Sequence, residues 1–266
     1  LPVFAYLLTR ILREEWGFKG FVTSDWMHGV RDGISGIQAG MDVEMPACRR
    51  YGRPLKQGLR DGTITESQID VLVHRILRTR LWYALAPDAE AYPPELCASP
   101  EHIQLSRRVA EESMVLLKND DDVLPFSVDR VQRLAVFGRL ASLENTGDRG
   151  SSAVNTPYVV TPIEGLAAYL KEHGGVVLDG CMASGAAASQ MASEADAAVV
   201  VVGLTHLDEG EWFVMNPDKK ADAFRPSFFG GGGDRTHLGL RAEDVELIRH
   251  VASSQAKTVV VCVGRV

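Results

Sequence analysis

The chain has 266 residues, 45% hydrophobic and 24% charged, the profile of a globular protein with one large core or two of ordinary size. A formal net charge of −7 argues against nucleic acid or an anionic membrane surface as a partner. No run of about twenty uninterrupted apolar residues occurs, so no transmembrane helix is expected.

In chain order, residues 4–15 place Phe4, Leu7, Leu8, Ile11 and Leu12 near helical spacing. Residues 20–24 then read as a buried strand, "DGISGIQAG" as a short helix, and residues 41–45 as a second strand. In "DGTITESQIDVLVHRILRTRLW", Thr65 and Gln68 are spaced as a capping box, and Ile69, Leu72, Val73, Ile76 and Leu77 form an apolar face. Strands alternating with helices imply parallel pairing. Two such units are too few for a complete fold and suggest the end of an eight-unit barrel.

"YALAPDAEAYPPELCASP" is rich in Pro and Ala without periodicity and reads as a linker. Ser99 caps a helix with Pro100 at its first position, expected to run through "EHIQLSRRVAEESMVLLKN". Four short apolar runs follow, "LAVFG", "GVVLDG", "AAVVVVG" and "TVVVCVG", each ending at glycine; helical stretches such as "TPIEGLAAYLKEH" and "RAEDVELIRHVASS" lie between them. That pattern is a mostly parallel sheet covered on both faces. The expected division is therefore 1–84 for a first domain, 85–99 for a linker and 100–266 for an α/β second domain. Cys48, Cys97, Cys181 and Cys262 lie far apart with no CxxC or Cys/His cluster, and read as unpaired thiols. The sequence opens inside the apolar segment "LPVFAYLL" and closes on the strand pattern "AKTVVVCVGRV". An internal piece of a longer protein is expected, and cytoplasmic, periplasmic and secreted locations all stay open.

Three places carry possible chemistry. "GFKGFVTSDWMHGV" ends an apolar run at Asp25 and Trp26, a carboxylate and an indole at the carboxyl end of a strand, where α/β folds bind ligands. On the tripeptide alone Asp25 reads more readily as a cap for the next helix and Trp26 as a core residue, while His28 reads either as a supporting partner of the site or as a plain surface histidine. "VVGLTHLDEGEWF" leaves a buried strand at Gly203 and offers Asp208, Glu209 and Glu211 within four residues; mutual repulsion there would raise the pKa of a proton donor. "GGGG" at 230–233 and "GDRGSS" at 147–152 match neither GxxxxGK[ST] nor GxGxxG, so a phosphate cradle is not expected.

"GFKGFVTSDW" with "GIQAGMDVEMP" downstream resembles the nucleophile region of glycoside hydrolase family 3. The likeness continues in family order through "AEESMVLLKNDDDVLPF", "GDRGSSAVNTPYVVTPIEGL" and "AAVVVVGLTHLDEGE...GGDRTHLGL". The resemblance implies the C-terminal part of a (β/α)8 TIM barrel followed by a partial α/β sandwich domain, with the active site between them. It implies a retaining β-glycosidase, in first place a β-glucosidase releasing non-reducing terminal glucose, with Asp25 as nucleophile and Trp26 packed on the sugar. Glu209, which carries the following glycine, is the expected acid/base; Glu211 stays open because "EWFVMNPDKKADAFRPSFFGGGG" departs from the family spacing. β-Xylosidase, another exo-glycosidase of the family, and a non-catalytic carbohydrate-binding homologue are the alternatives. The implied partner is a β-glucoside or β-linked oligosaccharide, with no metal or organic cofactor, and the oligomeric state stays open.

Overall fold

The computed structural model describes residues 5–26, 29–86, 93–147, 151, 153–208 and 237–264, which divide into two units, Leu1–Leu96 and Cys97–Val266.

In the first unit, Tyr6–Glu15 winds as a π-helix rather than the α-helix its spacing suggests. Helix α1 (Gly33–Ala39) starts where the Asp32 side chain accepts from Ser35 N–H and stops at Gly40, whose left-handed φ of 93° suits only a residue without Cβ. Helix α2 (Arg53–Asp61) was not anticipated, because its charged sequence carries Pro54 and Gly58 and its apolar stripe is only Leu55 and Leu59. Helix α3 (Glu66–Ala84) begins with the expected capping box between Thr65 and Gln68. Ile37, Leu55, Ile64 and Leu72 form the buried cluster of this unit, with Ile34, Tyr51 and Ile69 packed against it. The predicted apolar face of α3 is only partly used: Leu72 is buried, whereas Val73 and Leu77 are 43% and 51% exposed.

The two strands expected at 20–24 and 41–45 are corrected to a single parallel bridge, Thr23↔Val43. Their backbones do meet, with Ser24 N–H donating to the Val43 carbonyl at 2.9 Å and Asp42 N–H to the Val22 carbonyl at 3.0 Å. A regular ladder needs further strands to share its faces, since a pair standing by itself is marginal.

The second unit opens with α4 (Pro100–Ser113), capped by the Ser99 hydroxyl accepting from His102 N–H. It ends earlier than expected: Met114 is already extended, at φ −75° and ψ 130°. Four successive apolar residues in "MVLL" fit no single helical stripe. Strands β1 (Arg133–Phe137), β2 (Val176–Gly180), β3 (Ala197–Gly203) and β4 (Thr258–Val263) form one parallel sheet in the order β2-β1-β3-β4. The predicted apolar runs thus become its strands.

Period-two alternation divides the core. Leu134, Val136, Ala197, Val199 and Val201 join one buried cluster with Leu170 of α5 (Pro162–Glu172). Ala135, Phe137, Ala198, Val200 and Val202 join the other, with Ala188 and Ala192 of α6 (Gly185–Ser193) and Val251 of α7 (Ala242–Ser254). Helices therefore cover both faces. The Ala-rich α6 escaped the sequence reading because small residues give little amphipathic contrast. Connections leave β1 toward β2 on one side and β3 toward β4 on the other, so the carboxyl ends of β1 and β3 form a topological switch point. Gly203 closes β3 there at φ 136°, and a Cβ would collide with the Val263 carbonyl. All four cysteines are free thiols. No helix among the described residues is long and apolar enough to cross a membrane.

Candidate active site

Asp25 follows the bridge residue Thr23 by two positions and is exposed. Its Oδ1 accepts from the backbone N–H of Trp26 at 2.6 Å, which ties the carboxylate to the next peptide; the Trp26 side chain is 57% exposed. Trp26 is thus not a core residue. The segment beneath is held by buried charge. Asp42, with no side-chain exposure, pairs with Arg13 at 2.6 Å and Arg75 at 3.0 Å and also accepts from Val22 N–H at 2.7 Å. Arg13 reaches on to the carbonyls of Gly20 and Gly40 at 2.9 and 3.2 Å. Glu44 caps the turn that follows, accepting from Arg50 N–H and Tyr51 N–H at 2.8 Å each. Tyr51 donates its hydroxyl to the Met41 carbonyl, and burial pushes its phenol well above the usual range.

These partners were missed by the sequence reading. The one available signal was an acid in the middle of an apolar run, in "GMDVEMP", since such a residue needs cations from elsewhere in the chain.

In the second unit the acidic stretch leaves the switch point after β3. Asp208 Oδ1 accepts from Arg241 Nε at 2.8 Å and also bonds its Nη2; Oδ2 accepts from Thr205 N–H at 2.8 Å, the Thr205 hydroxyl at 2.9 Å and Arg139 at 3.2 Å. Burial would raise this carboxyl, but the bonds from Arg241 and Thr205 outweigh it and hold the pKa down to about 2. The carboxylate crowding expected at 208–211 is therefore relieved at Asp208 by two guanidinium groups. Asp244, close to the same arginines and buried, is pushed the other way, upward, by desolvation. Glu209, Glu211 and His28 lie outside the described residues. No group of three His, Cys, Asp or Glu side chains suited to a metal occurs among the described residues.

Residues 114–265 match the glycosyl hydrolase family 3 C-terminal domain, and residues 4–79 match the glycosyl hydrolase family 3 N terminal domain. The chain belongs to glycosyl hydrolase family 3. It is 32% identical over 270 residues to thermostable beta-glucosidase B of Acetivibrio thermocellus, covering 96% of this chain and 32% of that protein. It is 37% identical over 169 residues to a beta-glucosidase of Rhizobium radiobacter, covering 62% of this chain and 20% of the relative. The crystal structure of beta-glucosidase D2-BGL from Chaetomella raphigera superposes with a TM-score of 0.75 at 26% identity, over 98% of this chain and 38% of that one. The chain thus spans about a third or less of the relatives' length.

Proposed function

We propose that the chain carries the nucleophile and the acid/base of a retaining β-glycoside hydrolase, a β-glucosidase that releases non-reducing terminal glucose. The observation that supports this most is Asp25, an exposed carboxylate on a pinned backbone at the carboxyl end of an extended segment, with Trp26 open beside it. The curated relatives named beta-glucosidase favour glucose over xylose. In this reading 1–84 are the end of a (β/α)8 barrel, 85–99 a linker and 100–266 the sandwich domain. A parallel bridge from Thr23 to Val43 enclosing α1 is what one barrel repeat leaves behind, and it supports that reading.

The chemistry runs in two displacements. The Asp25 carboxylate attacks the anomeric carbon, the glycosidic C–O bond breaks, and Glu209 gives its proton to the departing oxygen. Glu209, now a carboxylate, takes a proton from water as that water attacks the same carbon, and Asp25 leaves with its electron pair. Trp26 covers the apolar face of the sugar ring and excludes water. Two carboxyls suffice, so no metal is needed for any step.

The test uses the full-length enzyme and a 2-deoxy-2-fluoro-β-glucoside, which stalls the glycosyl-enzyme. Peptide mass spectrometry should find the label on Asp25; label on another acid overturns the assignment. Glu209→Ala should cripple cellobiose cleavage, spare a dinitrophenyl glucoside in the first step, and yield β-glucosyl azide when azide is added. Azide rescue of Glu211→Ala in its place would move the acid/base by two residues.

A further inference from the structure

Ser24 is 6% exposed and sits immediately before Asp25. Its Oγ accepts from Met45 N–H at 2.9 Å and donates to the Asp25 carbonyl at 2.9 Å. A hydroxyl can do both at once, and the two bonds join the backbone of the 41–45 segment to the peptide that carries Asp25. Gly29 also packs so close that a Cβ there would lie 2.6 Å from Asp25 N, 2.9 Å from its carbonyl oxygen and 3.0 Å from Ser24 Cβ. The main chain of Asp25 is thus held by a hydroxyl relay and a close glycine contact, while its carboxylate stays exposed. Neither device is needed for a helix cap, because Asp32 already caps α1.

We infer that Ser24 is a positioning residue for the glycosylation step: its hydroxyl fixes the peptide plane from which the Asp25 carboxylate projects. This rests on the reading of Asp25 as the nucleophile. A nucleophile must meet the anomeric carbon in line, and misplacement by about 1 Å costs on the order of a hundredfold. Removing the hydroxyl leaves Met45 N–H and the Asp25 carbonyl without this link and lets the plane rotate.

The experiment is trapping of the full-length enzyme by the 2-deoxy-2-fluoro-β-glucoside, with the rate constant and the final stoichiometry measured separately. Wild type comes first: label on an acid other than Asp25 overturns the nucleophile reading itself and is seen before any variant is made. With Asp25 labelled in wild type, Ser24→Ala should trap roughly tenfold to a hundredfold more slowly yet still reach one label per chain. Ser24→Thr, which keeps the hydroxyl, should recover most of the rate. A purely structural role would lower the fraction of chains labelled and leave the rate constant of those that react unchanged, and that result overturns the inference. Should Ser24→Ala not fold, Ser24→Cys, with a weaker donor of similar size, should show the same slowing; a wild-type rate constant for it overturns the inference equally.

Discussion

Asp25 and Asp208 each stand a few residues beyond an extended segment, in units with quite different support, and their neighbours make them opposite groups. Asp208 leaves a four-stranded sheet and is gripped by two arginines and Thr205, so its charge is spent on holding the chain. Asp25 leaves a single bridge and keeps its carboxylate exposed, while the gripping is done by Ser24 and Asp42 around it. In the proposed reading, Asp25 can serve as nucleophile because other residues anchor the chain around it.

That contrast can be broken in four places. The largest effect should come from Asp25→Asn in the full-length enzyme, with kcat falling by roughly 10⁴-fold or more, the scale of losing a nucleophile. Its thermal midpoint should stay close to wild type, because an exposed side chain is changed without change of volume. A large drop in that midpoint would make Asp25 an anchor like Asp208. Asp42→Asn should do the reverse, costing about 3–5 kcal/mol in denaturant titration by leaving Arg13 and Arg75 without their carboxylate. A nearly neutral result would show that the two arginines find other partners.

Asp208 sharpens the comparison through pH. Its folded pKa of about 2 lies below the ordinary 3.8, so the unfolded chain takes up the proton first as acid is added. The stabilisation is therefore complete above about pH 4 and is lost as pH falls toward and through 2. Asp208→Asn should be less stable than wild type at pH 5, and the gap should narrow steeply toward pH 2 and close below it; a gap independent of pH would assign the effect to packing. The smallest change belongs to Trp26→Ala, with stability within about 0.5 kcal/mol of wild type. KM for aryl glucosides should rise about twofold to tenfold, the worth of one aromatic contact. An unchanged KM would remove Trp26 from the sugar site.

The sheet was legible because each strand is a continuous apolar run closed by glycine, a pattern that survives without knowledge of its neighbours. Cap chemistry was equally local: Thr65 with Gln68, and Ser99 before Pro100, needed only three or four residues to be read. The first unit was harder. Residues 20–24 and 41–45 have strand composition, but how far they pair depends on strands to either side, and one bridge is what forms. Asp25 stood out as an acid at the end of an apolar run. Its support did not, because Arg13 and Arg75 lie 29 and 33 positions from Asp42, and pairings at that range leave no local pattern. The shared grip of Arg139 and Arg241 on Asp208 was hidden for the same reason.

The tie between Asp208 and Arg241 also bears on how this sequence tolerates change in length. It joins two residues 33 positions apart beyond the carboxyl end of β3, so the two ends of the stretch between them are pinned close together. Closing such a stretch costs an entropy that grows only logarithmically, about 0.6 kcal/mol for each doubling. A change of length between the two anchors is therefore expected to leave β3 and α7 in place so long as Asp208 and Arg241 stay paired; a length variant that loses its thermal midpoint while keeping both residues would show otherwise.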